Sequence, residues 1–284
     1  EILRCLVGSE MRIRDRENVR RMENTVIRNE RGKPENILKC LGRRLHPMGY
    51  SIRSSILDFR DYGVPHHRER LITIGCRIPS LTGKHSPLEE IYSKSPSEFH
   101  PAPTHGGSNR TSWISLREAI GHLSSLDARS RLFDPQDPYH CIPSWNQRQH
   151  DWMKATPEGQ TAFDNVECPD CGKRAVNPVD VTCSCGSSLP RPQIGQGADA
   201  RLVRGFRSSY RRMRWDRPGS TLTMNSGVIS SDLKGHPDQH RVLSLREIMI
   251  LSTLDRSDWP KTYSFEGIKY GRMRDCLLYT SPSP

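Results

Sequence analysis

Nothing in this chain of 284 residues approaches the roughly 20 consecutive apolar residues that a membrane-crossing helix needs, so no membrane span is expected. Its opening stretch lacks the cationic, apolar and small-residue succession of a signal peptide, so secretion is not expected either. Aromatic residues make up only 7% and hydrophobic residues 34%, with a mean hydropathy of −0.70, which leaves a modest core. Nine cysteines in a chain this long make no dense disulfide framework. Four of them stand in close pairs, as metal ligands do, which fits a reducing compartment. Acidic residues are outnumbered, 32 against 43 Lys and Arg, for a formal charge of +11. That excess fits a polyanionic partner, whose phosphates Lys and Arg neutralise with release of counterions. It equally fits a merely basic protein, and charge alone does not separate the two. Both signs are well represented, which argues against wholesale disorder. The length suits one large domain and one small one.

From Pro34 to Leu45, Ile37, Leu38, Leu41 and Leu45 recur at helical spacing, and Pro47 ends the helix. Ser51–Asp58 is expected as a strand with Ile52 and Ile56 on one face, and Tyr62-Gly63-Val64-Pro65 as a turn. Leu71-Ile72-Thr73-Ile74-Gly75 follows as a buried strand. Helix, strand, turn and strand in succession point to an α/β sheet domain. Residues 79–110 are rich in Pro, Ser, Gly and His and predict a long surface connection. Ser115, with Glu118 three residues on, has the form of a capping box opening a helix with Leu116, Ile120 and Leu123 on one face. From about Asp127 to Gly235 short strands, prolines, glycines and the cysteine cluster predict a smaller module. Ser244–Leu254 is helical again, with Leu245, Ile248, Met249 and Leu251 on its apolar face.

Inside that module, Cys168-Pro169-Asp170-Cys171-Gly172 is followed by Cys183-Ser184-Cys185-Gly186. Two pairs, each followed by Gly, form tight knuckles that supply four thiolates to a tetrahedral Zn²⁺. Disulfides or unrelated thiols are the alternatives, and the lack of secretory features disfavours them. Four protein ligands leave no open position for water, so the zinc is expected to be structural, stapling a module with a thin core. Downstream, Arg201, Arg204, Arg207, Arg211, Arg212, Arg214 and Arg217 are interleaved with Phe206, Tyr210 and Trp215. Arginine contacts phosphates and guanine edges while aromatics pack or stack, so Arg204, Arg207, Arg211, Arg212 and Arg214 are candidate DNA ligands. A solvated basic face is the plainer alternative.

A longer stretch, Leu57-Asp58-Phe59-Arg60-Asp61-Tyr62-Gly63-Val64-Pro65-His66-His67-Arg68-Glu69-Arg70-Leu71-Ile72-Thr73-Ile74-Gly75, resembles motif VIII of the DNA cytosine-5 methyltransferases. His66 stands where that family usually has Gln. Glu17-Asn18-Val19 resembles the family's ENV motif, and Gly49-Tyr50 its GY. Pro103-Thr104-His105 and Ser115–Ile120 resemble the PTH connection, and His236-Pro237 with Arg241–Glu247 resembles motif IX. Arg217-Pro218-Gly219-Ser220-Thr221-Leu222-Thr223 resembles the Thr-Leu element of the target recognition domain. These features fall in the family's order.

The resemblance implies a partial Rossmann-like domain, dependent on S-adenosylmethionine, with a smaller target recognition domain containing the zinc ribbon. The expected division is 1–125 for the later catalytic part and 126–240 for target recognition, with the ribbon at about 166–188. Residues 241–275 would then return to the catalytic domain. The implied chemistry is attack by a thiolate on carbon 6 of a flipped cytosine, which makes carbon 5 nucleophilic. An acid at ring nitrogen 3 relieves the resulting charge. Glu17 would be that acid, Arg70 would contact the flipped cytosine, and Arg68 would help to position substrate and catalytic loop. Taken alone, Glu17 would be an ordinary solvated carboxylate, and Arg68 and Arg70 could pair with Asp61 and Glu69. Thr221 would support the DNA strand or the flipped nucleotide.

The family's Pro-Cys-Gln nucleophile motif is missing from this sequence, since Cys5 in Leu3-Arg4-Cys5-Leu6 has neither its neighbours nor its spacing. The glycine-rich cofactor motif and the closing motif X are missing too, so the cofactor site is expected to lie mostly elsewhere and this fragment to be inactive. Gly267–Arg274 resembles the approach to motif X, and Cys276–Pro284 resembles the translation of a sequencing adapter. Double-stranded DNA is the expected partner of a monomer, in the cytoplasm or wherever that DNA resides; a restriction partner and the target sequence are not readable. The rival readings are a non-enzymatic zinc-ribbon DNA-binding protein and an RNA cytosine-5 methyltransferase.

Overall fold

The structure, a computed structural model, describes residues 13–78, 91–195, 197–254, 270, 271 and 274, with 198 through its backbone alone. The Cys276–Pro284 tail, most of the approach to motif X and the first part of the long connection lie outside the described residues. No helix among the described residues is long and apolar enough to cross a membrane. Two compact units result. One takes the chain up to Tyr62 together with Arg68–Ser112, and the other takes Gly63–His67 and the described residues from Trp113 onward.

The first unit is mixed α and β. Strands β1 (Ile13–Val19), β4 (Ser51–Asp58), β5 (Glu69–Cys76) and β6 (Tyr92–Ser93) form one sheet in the order β1-β5-β4-β6. β5 runs antiparallel to both of its neighbours, so β1 and β4 point the same way on either side of it. Strands β2 (Val26–Arg28) and β3 (Pro34–Asn36) pair separately, directly before helix α1 (Ile37–Leu45). The helix starts where the Asn36 side chain accepts the Leu38 amide, and Pro47 at its end sits in a short 3₁₀ turn. Leu38 and Leu45 join Tyr50, Ile52, Leu71 and Ile91 in the core. In β5, Leu71 and Thr73 are buried in alternation, and the buried Thr73 hydroxyl is satisfied by Ser54 Oγ at 2.8 Å. Strand β1 is unexpected from its charged sequence, Ile-Arg-Asp-Arg-Glu-Asn-Val. It stands at one end of the strand order and none of its residues is fully buried, so its charges keep water.

Among its described residues the second unit has little regular structure: strands β7 (Phe133–Asp134) with β8 (Asp137–Cys141) and β9 (Gln193–Ile194) with β10 (Arg201–Leu202), and short helices. Helix α2 (Leu116–Ile120) carries the expected Ser115–Glu118 capping box. Helix α3 is Gln147–Lys154, and α4 (Leu245–Leu251) carries a second box, Ser244 with Glu247. Leu116 and Ile120 of α2 pack with Leu243, Ile248 and Leu251 around Met213, Trp215 and Leu222. The helix near Ser115 therefore belongs to this unit's core, and the compact units divide after Ser112. A second cluster, Trp145, Trp152, Met153, Phe163 and Tyr210 among others, holds the middle of the unit.

Candidate functional site

The carboxylate of Glu17 and the guanidinium of Arg70 meet on one face of the sheet. In the β1–β5 register Glu17 lies opposite Ile72 and Val19 opposite Arg70, so Glu17 and Arg70 are diagonal neighbours. Arg70 Nε donates to Glu17 Oε1 at 2.8 Å, and Arg68 Nη2 lies 3.6 Å from the same oxygen. Both side chains of the closer pair are 18% exposed. Burial first, and then the charge of Arg70, lower the pKa of Arg68. Glu69 points to the opposite face, where Arg20 holds it at 2.7 Å. The sequence left a pairing of Arg68 and Arg70 with Asp61 or Glu69 open; in the structure both turn to Glu17. One acid thus sits beside two fixed donors, a set able to hold the polar edge of a heterocycle.

Flanking motif segments are tied down within their own units. In the first, the amides of Thr104 and His105 both donate to the Asp61 carbonyl, at 2.8 and 2.9 Å. In the second, Gly219 N–H donates to Pro65 O and its carbonyl accepts from His67 N–H, at 2.9 and 2.8 Å. A Cβ at Gly219 would stand 3.2 Å from Leu251 Cδ1 and 3.3 Å from Leu116 Cδ2, so a larger residue would crowd both leucines. His66 is buried with Nδ1 2.7 Å from the Leu251 carbonyl. Thr221 Oγ1 donates to the His67 carbonyl at 2.7 Å, and Lys234 Nζ donates to the Thr221 carbonyl at 2.6 Å. The Thr221 hydroxyl therefore fixes the main chain of the Gly63–His67 segment.

The cysteine cluster is assembled. All four sulfurs lie within 4.8 Å of one another, with Cys168 and Cys185 3.7 Å apart and Cys171 and Cys183 3.5 Å apart. All are free thiols. Sulfurs on a tetrahedral zinc with bonds near 2.3 Å are separated by roughly 3.8 Å, so the cluster fits that ion. Each knuckle closes on a glycine with positive φ, Gly172 at 70° and Gly186 at 91°. The Ser187 hydroxyl and amide pull the Cys185 pKa down, whereas in Cys171 the Lys173 amide is outweighed by the neighbouring thiols, which push it up.

The arginine-rich segment separates into two classes. Arg204, Arg207, Arg211 and Arg214 are exposed; Arg207 pairs with Asp164, Arg214 with Asp216, and Arg211 Nε donates to Gly159 O. Arg212 is a correction. It is 2% exposed, and its guanidinium donates to the carbonyls of Thr156, Met153, His236 and Gln239 and meets His240 Nδ1 at 2.8 Å. With its donors engaged inside the protein it is a structural cross-link and no ligand for DNA. Tyr210 and Trp215 are likewise buried in the core.

A feature without an assigned role in the sequence is the buried network around Glu247. Arg241 holds it bidentately, and His236 Nε2 lies 3.6 Å away. Burial keeps the His236 pKa low, and the ring accepts from the Gln239 amide and stacks edgewise on Trp215. His236, Arg241 and Glu247 are thus mutual partners in one buried cluster.

Comparison with known proteins places the chain in a family. The model of the family described as C-5 cytosine-specific DNA methylase matches residues 16–275. Type II methyltransferase M1.HgaI of Avibacterium volantium is 29% identical over 216 residues, covering 72% of this chain and 46% of the relative. Type II methylase M.HgiDII of Herpetosiphon aurantiacus is 24% identical over 213 residues, covering 75% and 47%. Type II methyltransferase M.AgeI of Thalassovita gelatinovora is 23% identical over 290 residues, covering 84% and 65%. The chain spans about half the length of the first two of these relatives. A match over nearly the whole chain, holding Glu17, Arg68 and Arg70 within it, shows that this chain belongs to the C-5 cytosine-specific DNA methylase family.

Proposed function

We propose that the protein carrying this chain methylates carbon 5 of a cytosine in duplex DNA. The observation that carries this reading is the 2.8 Å contact between Glu17 and Arg70, with Arg68 beside them, inside the span matched to the family. Glu17 binds and protonates ring nitrogen 3 as a thiolate adds to carbon 6, and Arg70 holds the carbonyl of the extruded base. Arg68 fixes the orientation of Glu17. The family implies S-adenosylmethionine as the source of the methyl group, and no described residue is assigned to it. The chain contains no Pro-Cys-Gln, so the thiolate is assigned to polypeptide outside it. The 284 residues by themselves are expected to transfer no methyl group.

The mixed sheet is taken as the later part of a Rossmann-like catalytic domain, and 126–240 as the target recognition domain. Zn²⁺ on Cys168, Cys171, Cys183 and Cys185 staples that domain. Arg204, Arg207, Arg211 and Arg214 neutralise phosphates, Arg207 and Arg214 exchanging an aspartate for a phosphate as they do so. Thr221 supports the DNA strand through the segment it anchors. The protein acts as a monomer wherever the DNA resides. The Type II names of the relatives support a place in restriction and modification, although no endonuclease partner is identified.

The test is incorporation of labelled methyl from S-adenosylmethionine by the whole gene product, with duplex DNA and RNA as competing substrates. Label at carbon 5 of cytosine in DNA is expected. Label in RNA alone would support the RNA methyltransferase reading. Sequence-selective DNA binding with no label in either would leave a zinc-ribbon binding protein.

A further inference from the structure

Three aromatic residues are interleaved with the arginines of the basic segment, and the structure separates them. Tyr210 and Trp215 are 9% and 7% exposed, whereas Phe206 is 82% exposed, above Phe133 at 60% and Trp113 at 40%. The loop that displays Phe206 is anchored on both sides. Val203 N–H donates to Pro192 O, Ser209 N–H closes a turn onto Phe206 O, and Tyr210 N–H donates to Ile229 O, each at 2.9 Å. Thr161 Oγ1 donates to Ser209 O, also at 2.9 Å. A Cβ at the exposed Gly205 would stand 3.8 Å from Phe163 Cζ, an ordinary contact. A fixed main chain thus holds an apolar ring in water, with Arg204 two residues before it and Arg207 directly after it, both exposed.

An aromatic ring flanked by cations matches the section of a duplex at one base step, an apolar slot bounded by two phosphates. We propose that Phe206 is a wedge: in the DNA complex its ring enters between adjacent base pairs and stacks there, while Arg204 and Arg207 hold the flanking phosphates. The inference rests on the duplex-DNA reading above. Its consequence is a specificity element separate from cytosine recognition. Unstacking costs least at flexible pyrimidine–purine steps, so the wedge selects such a step at a fixed place in the site and kinks the duplex there.

The test selects duplexes from a random pool with the chain as it stands and with its Phe206→Ala and Phe206→Trp variants. Bending of the selected duplex is then compared by circularly permuted gel shift. The unaltered chain is expected to enrich a pyrimidine–purine step at one position and to bend the DNA. Phe206→Ala should keep the rest of the consensus, lose the preference at that step and bind the selected duplex about ten-fold more weakly, a loss of the size of one stacking contact. Phe206→Trp should restore the preference. An unchanged consensus and bend in Phe206→Ala would overturn the wedge while leaving the DNA reading intact. Failure of the unaltered chain to enrich any duplex would remove both.

Discussion

Arg241 and Glu247 face each other through two parallel hydrogen bonds, Nη1 to Oε2 and Nη2 to Oε1, both 2.7 Å, with both side chains 1% exposed. Glu247 also accepts the Ser244 amide at 2.7 Å, so one carboxylate caps helix α4 and neutralises a buried arginine. Removing one member leaves the other charge without its partner. Glu247→Gln and Arg241→Met are each expected to cost about 3–5 kcal/mol. An Arg241→Met/Glu247→Leu double variant should cost much less than the sum, because it leaves no orphan charge. Denaturant unfolding of the three variants measures this.

The same pair sets an acid limit. Burial alone would raise the Glu247 carboxyl, but the charge and hydrogen bonds of Arg241 outweigh it and hold the group at about 2, against an ordinary 4.5. A carboxyl lowered on folding contributes stability that is complete above its unfolded value and disappears as pH falls through its folded one. Stability should therefore decline between pH 4.5 and about 2, and the part of that decline owed to Glu247 should vanish in Glu247→Gln. Unfolding titrations at successive pH values check the window.

Arg212 and its exposed neighbours should respond in opposite ways to alanine. Arg212→Ala orphans the carbonyls of Met153, Thr156, His236 and Gln239, each costing on the order of 1–3 kcal/mol when left buried and unpaired. It should unfold the module. Arg204→Ala or Arg211→Ala should keep the melting temperature, weaken DNA binding and reduce the salt slope by about 0.9 per lost phosphate contact. Melting curves and salt titrations of binding separate the two classes.

For the cysteine cluster the expected result is one zinc per chain, bound only when Cys168, Cys171, Cys183 and Cys185 are all present. Structural zinc sites contribute about 10–16 kcal/mol of apparent binding energy at neutral pH, so Cys168→Ser or chelation should unfold the hairpins around Gly172 and Gly186. Metal analysis with thiol alkylation checks it. No zinc, with four freely alkylated thiols, would dismiss the ribbon.

Much of this was legible in the sequence where the determinants are local. Strand β4 has the bounds expected from Ser51 and Asp58, and the Ser115–Glu118 box forms as its spacing dictates. Each cysteine pair closes its own local turn, Gly172 N–H onto Cys168 O and Gly186 N–H onto Cys183 O. Long-range partners were less legible. Arg212 looked like its neighbours because the carbonyls that bind it come from Met153, Thr156, His236 and Gln239, far along the chain, and carbonyls leave no trace in residue type. Strand β1 was hidden by its charges, which an end strand tolerates. The convergence of Glu17 and Arg70 needed the β1–β5 register, which only the fold supplies.

That convergence is tested most directly by single-turnover methylation with Glu17→Gln in the whole gene product, on a cytosine-containing duplex whose binding is measured alongside. If Glu17 protonates the ring that Arg70 holds, the rate should fall by about 10²–10⁴-fold with duplex affinity within a few fold of the parent. A Glu17→Gln enzyme that methylates at the parent rate would contradict the account.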